Sequence, residues 1–182
     1  LLLHAIIAVE GENMSDVYLD HAATTPVDEK VLKAMQPYFG DIFGNPSSVH
    51  TFGQRADEAL QKARRSMAGT FGCQPKEVIF TSCGSESDNL ALRGAALAAR
   101  DQGKGNHILI SGVEHHAVTH TAQQLERLFG FDLEYIPVDG YGGVDPESVA
   151  ERIRPDTILV SIIQANNEIG TLNPISEIST LC

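Results

Sequence analysis

The residue types best suited to chemistry in this chain of 182 residues lie in four short loops. The first loop, residues 81–89, carries Gly84 and Ser85 just before a predicted helix. Gly84 lets a ligand approach the backbone closely, and Ser85 can cap the helix or offer its hydroxyl to an anion. The N–H groups and the positive end of a helix start favour phosphate. An ordinary helix cap would need the same residues, so this loop alone does not decide between the two interpretations.

The second loop, residues 112–118, places His115 and His116 after an apolar strand-like run. An imidazole at a strand end can stack on a flat ring or exchange protons near neutral pH. Adjacent histidines point in different directions on a helix, so no metal shared by this pair is expected. A histidine at a helix start without any function is the alternative.

Two further loops carry polar or small residues that a ligand could use. In residues 164–170, Asn166 and Asn167 follow the most apolar run, where amides are costly unless they have partners. Their side chains could donate to a phenolate or a carboxylate, and an Asx-turn is the alternative. Residues 20–26 combine small and hydroxyl residues, which permit a nearby ligand, although a simple capped turn explains them equally well.

The elements that must position these loops alternate along the chain. The periodicity predicts helices over 27–38, 52–71, 86–100, 116–129, 146–153 and 174–181, and strands over 78–81, 107–111, 133–138 and 157–163. Thr25 and Pro26 predict the start of the first helix as its N-cap and first residue. Alternating strands and helices predict an α/β fold with a mostly parallel sheet flanked by helices. Such sheets bind ligands at the carboxyl ends of their strands.

Composition narrows the function classes further. With 13 Lys and Arg against 24 Asp and Glu, the net charge of −11 argues against nonspecific binding to nucleic acid or anionic membranes. Cys73, Cys83 and Cys182 show no metal-binding spacing, so they are interpreted as free thiols and no metal site is predicted. Residues 1–13 are interpreted as an upstream extension outside the fold, which then covers 14–182. Since they lack the features of an export signal, a cytoplasmic location is expected.

Taken together, the loops match a family pattern. Residues 18–26, Tyr-Leu-Asp-His-Ala-Ala-Thr-Thr-Pro, resemble the N-terminal signature of the cysteine desulfurases. These enzymes belong to the class V aminotransferase branch of the fold-type I pyridoxal-phosphate enzymes. Segments similar to the later motifs of the family follow in order, at 43–48, at 80–82 together with 86–89, at 114–115 and at 166–170. The resemblance covers 17–182, and five motifs in order are far more specific than any one of them.

The resemblance implies a role for each matching residue. Gly84 and Ser85 would hold the phosphate of the cofactor, pyridoxal 5′-phosphate. Ser85 stands where the family usually has Thr, which keeps the hydroxyl, and Cys83 stands where Gly is common. His115 would stack on the pyridine ring and carry protons as a catalytic residue. Asn167 would donate to the phenolic oxygen of the ring.

The resemblance also implies a reaction and partners. A homodimer would take sulfur from L-cysteine, leaving L-alanine and an enzyme persulfide, and would pass the sulfur to an acceptor or scaffold protein for iron–sulfur clusters or tRNA thiolation. The Schiff-base lysine and the persulfide cysteine of the family are expected beyond Cys182. We therefore expect a fragment: an incomplete large cofactor-binding domain, inactive alone. Alternatives are another class V enzyme, such as a selenocysteine lyase or a kynureninase-like enzyme, and a noncatalytic module that binds cofactor or a partner.

Overall fold

Helices and strands alternate through residues 17–182, the part of the chain that the computed structural model describes. The α-helices are α1 (Glu29–Met35), α2 (Thr51–Phe71), α3 (Gly84–Asp101), α4 (His116–Phe129), α5 (Pro146–Ala150) and α6 (Ile175–Ile178), and the strands are β1 (His107–Ser111), β2 (Asp132–Ile136) and β3 (Thr157–Ser161). Short 3₁₀ helices cover Gln36–Phe39 and Pro75–Glu77. The predicted extension at residues 1–13 lies outside the described residues. The chain divides into two compact units, Leu1–Phe43 and Gly44–Cys182.

In the first unit, helix α1 begins later than the sequence predicts. Asp28 is its N-cap, because the Asp28 carboxylate accepts a hydrogen bond from the Lys30 N–H at 2.8 Å. The predicted cap at Thr25 with Pro26 was therefore wrong. Asp caps a helix as well as Thr does, and Glu29 in the first turn adds a favourable charge at the positive helix end.

The sheet lies in the second unit and contains three parallel strands in the order β2-β1-β3. All five residues of the central strand β1 are buried, because its side chains point alternately to two covered faces. Ile108 and Ile110 pack with α3 and α4, whereas Leu109 packs on the opposite face with residues that include Val149 of α5 and Ile178 of α6. The predicted α/β fold with a parallel sheet flanked by helices is confirmed.

The boundaries follow the sequence closely where the signals are local. Strand β1 and helix α4 begin and end at the predicted residues. Helix α2 ends at Gly72, whose φ of 67° is the left-handed conformation that glycine tolerates best. Strand β3 stops at Ser161 rather than at Ile163, because the Ile163 N–H donates to the Glu114 side chain instead of a neighbouring strand.

Residues 78–81 do not form the predicted strand. Val78 has an extended backbone, yet the segment pairs with no strand in the described part of the chain. The Val78 carbonyl accepts a hydrogen bond from the Arg64 guanidinium, and Ile79 is exposed. An apolar run predicts an extended segment, whereas a strand also needs a partner for its backbone groups.

Among the described helices, none is both long and apolar enough to cross a membrane.

Candidate functional site

An open cleft of about 390 Å³ lies between the first halves of α3 and α4. Its lining consists of Ser85, Asn89 and Arg93 from α3, His115 at the start of α4, and His116, Ala117, His120, Thr121 and Gln124 from α4. The three α3 residues recur every four positions, so they share one face of that helix. Helix α4 follows β1 after a short turn, which puts His115 near the carboxyl end of that strand. The structure therefore brings Ser85 and His115, two residues chosen separately from the sequence, into one cleft.

The start of α3 leaves room for a ligand beside Gly84. Gly84 is the first residue of the helix, and a Cβ atom placed on it would have no neighbour within 4 Å. The Glu86 carboxylate accepts hydrogen bonds from the Ser82 N–H and the Ser82 hydroxyl, both at 2.6 Å. The turn before the helix is thus held by contacts between residues four positions apart.

Electrostatics at this helix start favour negative charge. The Glu86 N–H and the Ser82 hydroxyl, which donate toward the sulfur, lower the pKa of Cys83 below its ordinary value. The pKa of Glu86 is also lowered, because the Ser82 hydroxyl and N–H donate to its carboxylate. Hydrogen bonds to the charged form stabilise that form. The same N–H groups suit an anion such as phosphate.

His115 is the N-cap of α4. Its Nδ1 atom accepts a hydrogen bond from the Ala117 N–H at 3.1 Å, which fixes the ring on the wall of the cleft. Since Nδ1 accepts this bond, Nε2 is the ring nitrogen left for a ligand. The neighbouring His116 ring stacks on His120, with ring centroids 5.2 Å apart. Within residues 17–182, no group of three or more His, Cys, Asp and Glu side chains is arranged to hold a metal ion.

The loop after β3 is anchored by Asn166. Its Nδ2 atom donates to the Val113 carbonyl at 3.2 Å, and its Oδ1 atom accepts from the N–H groups of Glu168 and Ile169. The loop therefore contains the local turn that the sequence offered as an alternative, together with a contact to the loop after β1. The predicted binding residue Asn167 is exposed beside this anchor, and neither it nor Gly84 belongs to the lining of the cleft.

Sequence reasoning did not predict the contacts of three polar residues that shape this region. Glu114 joins the ends of β1 and β3 through its carboxylate. Asn166 joins the two following loops. Arg93 donates to Asn89 on its own helix and to Gln124 across the cleft. Arg93 had a detectable signal, since it lies eight residues after Ser85 on the same helix face. Glu114 reaches Ser161 and Ile163, and Asn166 reaches Val113, across 47 to 53 residues of chain, so no local pattern revealed these contacts.

The loop at residues 20–26 belongs to the first unit and is closed by its own contacts. The Tyr18 hydroxyl donates to the carbonyl of Asp20 at 2.7 Å and lies 3.1 Å from the carbonyl of Thr24. The Tyr18 and His21 rings meet edge to face, with centroids 5.0 Å apart. These contacts form a local turn, the kind of structure that the sequence offered as the alternative to a ligand contact.

Comparison with known proteins adds a family assignment to this geometry. Residues 17–182 match the family described as aminotransferase class V. A protein named cysteine desulfurase IscS from Methanosarcina thermophila is 50% identical, over 97% of this chain and 44% of its own length. A putative cysteine desulfurase IscS 1 from Bacillus subtilis is 49% identical, over 92% of this chain and again 44% of its own length. The chain therefore spans less than half the length of these relatives.

Solved structures agree with the fold. A NifS-like protein matches with a TM-score of 0.84 and 38% identity, over 91% of this chain and 44% of that structure. A structure described as SspA in complex with cysteine matches with a TM-score of 0.82 and 40% identity, over 90% of this chain and 46% of that structure.

Proposed function

This chain belongs to the class V aminotransferase family, and from that premise we propose that its protein is a pyridoxal-phosphate-dependent cysteine desulfurase. The names of its relatives and the cysteine-bound SspA structure support L-cysteine as the substrate class. The observation that carries the proposal is the single cleft that Ser85 and His115 share at the start of α3. The start of a helix suits a phosphate group, and an imidazole on the wall of the same cleft suits the face of a flat ring.

The residues of the chain fit the proposed cofactor. Gly84 faces open space, and the lowered pKa of Cys83 reports N–H groups that favour an anion. We assign the phosphate to Gly84 and Ser85, the face of the pyridine ring to His115, and the phenolic oxygen to Asn167. Of these four residues, Ser85 and His115 line the cleft, and Asn167 lies in the loop anchored to Val113. The bound cofactor would supply an electron sink for chemistry at the amino acid.

In this proposal the protein's own contribution is orientation and proton handling. The start of α3 would hold the phosphate, so the ring could not slide along the cleft. The His115 ring, fixed by its hydrogen bond from the Ala117 N–H, would stack on the face of the pyridine ring. Its Nε2 atom would be left to hold or release a proton near the substrate.

The overall reaction would be the conversion of L-cysteine and an enzyme thiol to L-alanine and an enzyme persulfide. The carbon–sulfur bond of the substrate breaks, and a sulfur–sulfur bond forms with the enzyme cysteine. The carbon keeps the electron pair of the broken bond and takes a proton. We assign the attacking cysteine and the Schiff-base lysine to the part of the relatives' length that this chain does not span, and we give neither role to Cys73, Cys83 or Cys182.

The wider setting follows as part of the same proposal. We expect a homodimer that hands its sulfur to an acceptor or scaffold protein in iron–sulfur cluster assembly or tRNA thiolation. The net charge of −11 argues against nonspecific nucleic acid or membrane partners. The cytoplasmic location expected from the sequence stays a prediction.

A product assay tests this function. The protein encoded by the complete reading frame is supplied with pyridoxal phosphate, L-cysteine and a reductant, and alanine and sulfide are measured together. We expect equal amounts of the two products. Turnover of selenocysteine or kynurenine without turnover of cysteine would reassign the substrate within the family, and cofactor binding without turnover of any of the three would favour a noncatalytic module.

A further inference from the structure

We propose that Glu114 is a positioning residue, which holds the ends of β1 and β3 together and thereby sets His115 opposite the loop that carries Asn167. This inference rests on the proposed function for its meaning, because those two side chains are the ones assigned to the cofactor ring. The geometry of Glu114 itself does not depend on that assignment.

The Glu114 carboxylate accepts hydrogen bonds from three donors on two neighbouring strands. The Ser161 hydroxyl donates from β3 at 3.0 Å, and the Ile163 N–H donates just after β3 at 2.6 Å. The Ser111 hydroxyl donates from the last residue of β1. A carboxylate has acceptor capacity for all of them. Glu114 therefore joins the carboxyl ends of two adjacent parallel strands at the edge where ligands bind in such sheets.

These hydrogen bonds replace bonds to water at a partly buried position. Glu114 is half-buried, and Ser111 is only 1% exposed. Hydrogen bonds to an ionised acceptor are shorter and stronger than those between neutral groups. If the carboxylate were removed, the Ser111 hydroxyl and the Ile163 N–H would lose their acceptor where little water can replace it, which is the costly case. We therefore expect the strand ends to shift relative to each other.

A second contact connects the same two loops through a side chain of the β3 loop. The Asn166 amide of the β3 loop donates to the Val113 carbonyl of the β1 loop. Glu114 and Asn166 are thus paired anchors, and each lies one residue before a proposed cofactor contact, His115 and Asn167 respectively. Because the anchors fix the backbone immediately before those residues, they fix the spacing between the imidazole and the amide.

Two substitutions at Glu114 separate positioning from charge. Glu114→Gln keeps the shape: its amide oxygen can accept from Ser111 and Ile163, and its NH₂ group can donate to the Ser161 hydroxyl. Glu114→Ala removes every contact. In the protein from the complete reading frame, we expect Glu114→Ala to raise the Kd for pyridoxal phosphate by roughly tenfold to a hundredfold, the range typical when a contact that orients a binding residue is lost. We expect Glu114→Gln to stay within about threefold of wild type, because it keeps all three hydrogen bonds.

Three further measurements complete the experiment. The visible circular dichroism of the bound cofactor reports how rigidly the ring is held. We expect this signal to be weaker in Glu114→Ala than in wild type and close to wild type in Glu114→Gln. Glu126→Ala, which removes an exposed carboxylate on α4, is the matched control and should behave as wild type. If Glu114→Ala does not fold, Ser161→Ala removes one of the three donors, and we expect smaller losses of both affinity and dichroism.

Hydrogen exchange distinguishes a failure of this inference from a failure of the proposed function. In protein without cofactor, we expect the Ile163 N–H to exchange faster in Glu114→Ala than in wild type, because that substitution removes its acceptor. Unchanged exchange would overturn the positioning role whatever the protein catalyses. A Gln variant as impaired as Ala would also overturn it, since charge would then be the cause. If the wild-type protein bound no pyridoxal phosphate, the proposed function would be refuted. Faster exchange of the Ile163 N–H in Glu114→Ala would still support the role of Glu114 in joining the strand ends.

Discussion

The start of α3 and the joined ends of β1 and β3 are both parts of the candidate site, but they are built in different ways. At the start of α3, Glu86 contacts Ser82 and Asn89 contacts Ser85, in each case four residues away. At the strand ends, Glu114 contacts Ile163 across 49 residues. The first region needs one turn of helix to exist, whereas the second exists only when the sheet has formed. Local geometry can therefore supply an anion site, while tertiary packing must supply its alignment.

The largest predicted difference between the two regions is in the free energy of unfolding. It should appear when one half-buried asparagine from each region is replaced by alanine. Asn166→Ala loses the bond to the Val113 carbonyl and the bonds from the Glu168 and Ile169 N–H groups, so we expect a loss of about 1–2 kcal/mol in the free energy of unfolding. Asn89→Ala loses only contacts within α3, and we expect a loss of about 0.5 kcal/mol or less. Urea denaturation of both variants measures the difference, and equal losses would contradict the comparison.

A smaller effect should appear at Gly84, where function and stability are expected to diverge. The added Cβ of Gly84→Ala enters open space, and alanine favours helix, so the free energy of unfolding should stay equal or rise by up to about 0.5 kcal/mol. The same Cβ occupies room assigned to phosphate, so affinity for pyridoxal phosphate should fall several-fold. Gly94→Ala, in the interior of the same helix with open space around it, is the matched control for affinity. Equal affinities in the two variants would remove Gly84 from the site.

The smallest effect concerns pH at the start of α3. The pKa of Glu86 is lower in the folded protein than its ordinary value of 4.5, because the Ser82 hydroxyl and N–H donate to the charged form. Its contribution is therefore present above the unfolded pKa and is lost as the pH falls through the folded pKa. Glu86→Gln should flatten the dependence of stability on pH in that acid range. Above pH 6 the variant should be less stable than wild type by a constant amount, with the same slope against pH. A variant with the same acid profile as wild type would show that the Ser82 contacts contribute nothing.

The same division explains how much of the molecule could be predicted from its sequence. Helix α4 and strand β1 were predicted residue for residue, because His115, Gly130 and an unbroken apolar run mark their ends locally. The placement of His115 at the carboxyl end of a strand was also foreseeable from the topology. Ser85 reaches the same cleft because α3 lies beside α4, and not through a strand end.

The misses have physical causes of their own. Residues 78–81 have the composition of a strand but have no partner strand in the described chain, and composition does not encode partners. The start of α1 offered two capping residues, Thr25 and Asp28, of similar strength. The roles of Glu114 and Asn166 depend on contacts across 47 to 53 residues, which no window along the sequence contains.

A crystal structure of the complete protein with pyridoxal phosphate bound tests the central claim most directly. We predict the phosphate at the start of α3, with its oxygens about 2.7–3.2 Å from the Gly84 or Ser85 N–H groups or the Ser85 hydroxyl, and the pyridine face against His115. A cofactor bound elsewhere, or a ring turned away from His115, would contradict the account.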